Sequence, residues 1–152
     1  MRGFRFRLEK LRDLRTAEEQ GKARALAKAR DAVARLESVI DGVVDSEAGV
    51  LERIGTMLQG GPRAGAVQNM QVMLGQLRRQ RAVAEVERVK AQEELNAALL
   101  AYQDAFRERE ILDRLRARQM DSWNRDEQRR EQAVLDEVGR HQGKGFEKGV
   151  GS

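Results

Sequence analysis

One histidine, His141, and three adjacent acid pairs, Glu93–Glu94, Asp126–Glu127 and Asp136–Glu137, are the side chains best suited to proton or metal chemistry in this sequence. None of them forms a converging set. A catalytic triad needs an imidazole oriented by a third group, and a two-histidine metal site needs a second histidine that the chain lacks. Neighbouring residues on a helix point about 100° apart, so each acid pair splits between two faces and reads as solvated surface. There is no cysteine, which removes disulfides and thiolate metal sites and suits a reducing compartment. The glycine-rich strings GGPRAG (60–65) and GKGFEKG (143–149) lack the G-x-x-x-x-G-K-[ST] order of a phosphate-cradling loop. They read as a turn and a tail.

The elements that would have to position any site are helical almost throughout. Of 152 residues, 36% are charged and only 4% aromatic, too little apolar volume for a thick core but enough for a helix–helix seam. The stretch Gly60–Gly65 is the one place where proline joins three glycines, and Pro62 cannot donate the amide hydrogen bond of a helix interior. The pattern predicts an all-α fold, a long antiparallel two-helix coiled-coil hairpin spanning 1–140. Its parts are a helix over 4–58, a turn over 59–65, a helix over 66–140 and a disordered glycine-rich tail over 141–152. A hairpin of this kind has no water-excluding pocket in which to tune a pKa. The expectation is therefore not an enzyme, with no cofactor, metal or small-molecule substrate.

With Leu8 placed at position a of a heptad, the first helix carries Ala29, Leu36, Val43, Val50 and Met57 at a, and Phe4, Leu11, Ala25, Ala32 and Val39 at d. Leu26, Val33, Ile40 and Ile54 fall at e and widen the stripe. In the second helix Val67, Met70, Leu74, Leu77, Ala84, Ala91, Leu95, Ala98, Tyr102, Ala105 and Leu112 recur at spacings of three and four, with some layers skipped. Folding at the break sets Val50 opposite Leu74, Ala32 opposite Ala91 and Leu11 opposite Leu112 or Asp113. Apolar meets apolar over most of the length, and the tight glycine–proline break favours a monomeric hairpin over a parallel homodimer.

Charge is uneven. The net charge is +4, yet residues 1–35 hold 11 Lys/Arg against 5 Asp/Glu and residues 36–66 hold 2 against 5. The basic segment suits an acidic protein partner. It suits nucleic acid less, because Glu9, Asp13, Glu18 and Glu19 interrupt any phosphate-tracking stripe. At about 1.5 Å per residue the second helix outruns the first by roughly 30 Å. The overhang from Met120 to Arg140 carries Trp123, Val134, Leu135 and Val138, a candidate docking segment for another protein. Met57, Met70 and Met73 gather near the turn and form a second, weaker candidate, since methionine adapts to varied partners.

Two stretches carry a family likeness. FRFRLEKLRDLR (4–15) and RERE-ILDRLRARQ-MDSWNRDEQRREQAVLDE (107–137) together resemble the FliJ family of flagellar export proteins. Its members tend to open on an F-x-F-x-L-x-x-L-like segment and close on an E-R-x-x-L-x-x-L-x-x-R…R-R-E-Q-x-x-L-D-E-like one. Phe4, Phe6, Leu8 and Leu11 occupy the apolar places of the first motif, with Arg5, Arg7 and Arg12 beside them. Arg109, Leu112, Leu115, Arg118, Arg130, Glu131, Gln132, Leu135, Asp136 and Glu137 occupy the places of the second. The glycines of the first helix and the glycine-rich tail depart from the family pattern.

The resemblance implies a stalk-like, chaperone-type component of the flagellar type III protein export apparatus, serving flagellum biogenesis and motility. Its implied partners are the FliI-like export ATPase ring, the FlhA-like export gate and export chaperones. The implied location is cytoplasmic, at the cytoplasmic face of the flagellar basal body and peripheral to its membrane complex. The residues expected to meet the ATPase ring are Phe4, Arg5, Phe6, Arg7, Leu8, Leu11, Arg12, Arg118, Trp123, Arg125, Arg129 and Arg130, read as one cationic end. The amino terminus lacks the apolar core of a signal peptide, and no run approaches the roughly 20 residues of a membrane span. A generic homodimeric scaffold or a membrane-surface adaptor, the latter through the aromatic and basic alternation of Phe4–Arg15, is the competing expectation.

Overall fold

The structure, a computed structural model, describes residues 3–61 and 64–150, with side chains as far as Gly143. Pro62 and Arg63 of the expected turn and Gly151 and Ser152 of the expected tail lie outside the described residues. Two helices, α1 (Glu9–Gln59) and α2 (Ala64–Val150), account for nearly all of the rest, and the described residues include no strand. Arg12 of α1 is bonded to Asp113 of α2, and Glu47 of α1 to Arg81 of α2. Rising numbers on one helix meet falling numbers on the other, so the pair is antiparallel, as expected.

The bounds differ from the expected ones for local reasons. α1 ends where the Gly60 N–H donates to the Thr56 carbonyl at 3.2 Å and Gly61 takes φ of 98°. That left-handed conformation is one that glycine alone adopts without strain, and it closes a helix C-terminus. α1 starts at Glu9 rather than near Phe4, because residues 3–6 are irregular and 7–8 form a turn. α2 continues past Arg140 to Val150, since isolated glycines weaken a helix by about 1 kcal/mol each but do not block it as proline does.

Burial follows two columns on each helix. On α2 all eleven expected seam positions from Val67 to Leu112 are buried or half-buried, and Arg81, Arg88 and Arg109 fill the skipped layers as half-buried side chains. On α1 the seam is displaced from the expected a and d columns to a and e. Leu26, Val33, Glu47 and Val50 are buried, with Ala29, Leu36, Ile40, Val43, Ile54 and Met57 half-buried between them. The d column is largely left outside: Leu11, Glu18 and Ala25 are exposed, and Val39 is 53% exposed. The e column offers Leu26, Val33, Ile40 and Ile54 where d offers Ala25, Ala32, Val39 and Ser46, so choosing e buries more apolar area. It also carries Glu47 inside.

The chain divides into two compact units, one of Met1–Ala17 with Phe106–Ser152 and one of Glu18–Ala105. Leu26, Val33 and Val50 of α1 and Leu74, Ala84, Ala91 and Ala105 of α2 supply the core of the second unit. Phe6 and Leu112 are the buried apolar residues of the first. Two helices alone cover each other on one side only, and accordingly no large side chain among the described residues is fully buried.

Glu47 is 7% exposed and is the buried charged residue of the described chain. Its Oε2 accepts a hydrogen bond from Arg81 Nη1 at 3.1 Å, while Oε1 has no partner. A buried carboxylate with half its acceptors unmet is dehydrated without full compensation. The Arg81 side chain, 38% exposed, has a route to water if its partner is removed. Glu47→Leu should therefore stabilise the fold by about 1 kcal/mol and raise the thermal midpoint by a few degrees, read by circular dichroism. A lower midpoint would show that the ion pair is a net stabiliser.

Candidate functional site

The opening residues pack by alternation rather than by helical period. Phe4 and Leu8 are half-buried and Phe6 is buried, while Arg5 and Arg7 between them are exposed. Burial thus alternates along the segment, with the aromatic rings covered and Arg5 and Arg7 open to solvent. The Phe4 ring lies 6.3 Å from the Trp123 ring at a 59° tilt, within the range of favourable edge-to-face pairs. Arg116 sets its guanidinium 5.8 Å from the Phe4 centroid, a cation–π contact. Phe4 and the Trp123 segment, read from the sequence as parts of one cationic end, thus meet in the structure. Beside it lies an open cleft of about 700 Å³, bordered by Gly3, Trp123, Glu127, Arg130 and Glu131.

Below this aromatic contact a charged network joins α1 to α2. Arg12 Nε donates to Asp113 Oδ1 at 2.5 Å and Arg12 Nη1 to Glu9 Oε1 at 3.1 Å. Arg109 donates to the other Asp113 oxygen, and Arg116 Nε to Glu9 Oε2 at 3.3 Å. Each acid therefore binds two arginines, and Glu9 also sits in the first turn of α1, where a helix N-terminus favours negative charge. Arg109 additionally lies over the Phe106 ring at 5.1 Å, and Arg15 Nη1 reaches Glu108 at 2.9 Å. The hydrogen bond from Arg12, aided by Arg109, holds the Asp113 carboxyl below its ordinary range against the opposing effect of desolvation. The same pairing raises the Arg12 guanidinium above its ordinary value.

The expected site residues fall into three groups. Phe4, Phe6 and Leu8 fasten the segment to the unit, and Leu11 is at the edge of exposure. Arg12, Arg125, Arg129 and Arg130 are matched by acids of their own unit: Glu9 and Asp113, Asp121, Asp126 at 3.9 Å and Glu127 at 2.9 Å. Arg5, Arg7 and Arg118 are exposed. Positive character at this surface thus rests on the opening segment rather than on the overhang, where from Met120 to Arg140 six acids outnumber four arginines. Met120, Val134, Leu135 and Val138 are exposed on that same stretch. At the other candidate, Met57 and Met70 are half-buried seam residues and Met73 is exposed.

Sequence reading missed the roles of Glu9, Arg15, Glu108 and Arg116. The signal was present as opposite charges at nearly facing positions of the two helices, but Glu9 and Glu108 lie beside the apolar columns rather than in them. Among the described residues there is no group of three His, Cys, Asp or Glu side chains placed to hold a metal ion. No helix of the described residues is long and apolar enough to cross a membrane.

Comparison with known proteins gives one family. The model of the family described as "FliJ: Flagellar FliJ protein" matches residues 4–145. No curated protein and no solved structure matches the chain.

The Asp113 network has a pH consequence whose sign is fixed by the lowered carboxyl. The unfolded chain takes up this proton near the ordinary value of 3.8, and the folded chain only at lower pH. The stabilisation is complete above the ordinary value and is lost as pH falls through the folded one. Thermal midpoints measured from about pH 6 to about pH 2 should fall less steeply below about pH 4 in Asp113→Asn than in the wild type. Equal acid limbs would show that Asp113 is not linked to folding.

Proposed function

The chain belongs to the FliJ family, whose members are components of flagellar type III export, and on that premise we propose that its terminal unit docks into the ring of a FliI-like export ATPase. The observation that carries this reading is the outward pair Arg5 and Arg7, held by rings that face inward at Phe4 and Phe6. An acidic loop of the ring meets two guanidinium groups on a segment already ordered by packing, so little conformational freedom is lost on docking. Such charges steer and orient a partner more than they add affinity. Arg118 extends the cationic surface, and the exposed apolar residues of the overhang supply contact area. Trp123, together with Arg125, Arg129 and Arg130, shapes the surface around them.

In this reading the protein is a non-catalytic stalk, one hairpin to a ring, cytoplasmic and peripheral to the membrane complex at the flagellar base. It links the ring to a FlhA-like export gate and receives export chaperones. Met57, Met70 and Met73, in the unit that contains the helix break, are the residues proposed for varied partners there.

Reversal of Arg5 and Arg7 together to Glu tests the docking. Arg12 is left intact, because a carboxylate there would face Glu9 and Asp113 and disturb the fold itself. Helicity and the thermal midpoint should be unchanged, while stimulation of the export ATPase should fall about tenfold at moderate salt. Undiminished stimulation would overturn the assignment of this surface.

A further inference from the structure

The face of α2 turned roughly opposite to its seam is palindromic. Its positions Arg79, Val83, Val86, Lys90, Glu93, Ala97, Leu100 and Asp104 recur at spacings of four and three, all exposed and all within the unit Glu18–Ala105. Val83, Val86 and Leu100 are each more than half exposed, an apolar stripe for which the hairpin has no use. We propose that this face binds a second copy of the chain, with the two α2 helices antiparallel about a twofold axis crossing between Ala91 and Gln92.

Under that symmetry Val83 meets Leu100 of the partner, Val86 meets Ala97, and Lys90 meets Glu93, each contact occurring twice. At the margins Arg79 falls opposite Asp104. Antiparallel helices set one column of such a stripe against the other column of the partner, and the spacings here fit that rule at every layer. Isologous contacts require a surface complementary to itself. Charge complementarity selects this pairing among its rivals. Sliding one helix by a heptad in either direction puts Val86 against Lys90 or against Asp104. Parallel pairing puts Lys90 against Lys90 and Glu93 against Glu93, which repel. The seam residues Ala84, Ala91, Leu95 and Ala98 take no part, so both hairpins stay closed. The pairing does not depend on how the terminal unit is used.

The contact is short, and its expected affinity is weak, with Kd on the order of 10–100 μM. Light scattering or sedimentation equilibrium of the full chain from about 1 μM to 1 mM should show the mass rise from 17.2 kDa towards twice that value. K90E and E93K should each weaken association about tenfold by replacing two attractions with two repulsions, and K90E/E93K together should restore it. Because the chain has no cysteine, a mixture of V86C and A97C chains should join through a short thiol cross-linker more readily than either chain with itself. A single-chain mass at every concentration would overturn the proposal. So would a dimer indifferent to K90E, or one that the double reversal fails to restore.

Discussion

Two helices packed only on each other can bury one face apiece, and this limit governs the protein. A seam one side chain deep gives each layer a single partner across the interface, so register has to be specified locally. The apolar layers, Leu26, Val33 and Val50 on α1 with Leu74, Ala84 and Ala91 on α2, supply attraction without much choice of alignment. Choice comes from charge. Arg12 with Asp113, Arg15 with Glu108 and Glu47 with Arg81 each join unlike signs across the two helices. If α1 paired in parallel with another α1, Glu47 would face Glu47 within a buried layer. The orphaned Glu47 oxygen is thus a stability cost that separates the hairpin from the likeliest wrong assembly.

Much of this was legible in the residues. The α2 seam was legible apart from the layers filled by Arg81, Arg88 and Arg109, because leucine and alanine mark most of both columns from Leu74 to Leu112 and glycine is sparse there. The α1 seam was not, because three neighbouring columns are apolar and a helix cannot say which two of them a partner will cover. The facing helix decides, through the size difference between residues such as Leu26 and Ala25. At Phe4 the period was misleading for another reason. A four-residue alternation of aromatic and basic side chains fits a helical column by accident of spacing, while its chemistry is that of an irregular, two-sided segment. The i,i+4 spacing of Asp121 and Arg125 is that of a pair along one helix, whereas Arg116 and Glu9 lie on different helices, so only the packing of α1 on α2 could assign them to each other.

Charge also sorts the terminal unit by role. Arginines that pair within it, such as Arg12 and Arg109, are structural parts, and substituting them alters the scaffold along with any contact. Arg5 and Arg7 are exposed, which lets fold and docking be separated by mutation. The same separation holds for Lys90 and Glu93 on the outer face of α2.

The opening segment is attached to the unit by its side chains and by one backbone hydrogen bond, from the Glu9 N–H to the Phe6 carbonyl at 3.1 Å. Its rings at Phe4 and Phe6 lie outside α1, whose hydrogen-bonded ladder begins at Glu9, so the segment can peel away without unwinding a single helical turn. Burial of the Phe6 ring and half-burial of the Phe4 ring set the energy of that release at about 2–4 kcal/mol, a fraction of unfolding the chain. Detachment would uncover Trp123 and the apolar side of the segment in one step, giving the unit a second, stickier surface that the attached form conceals.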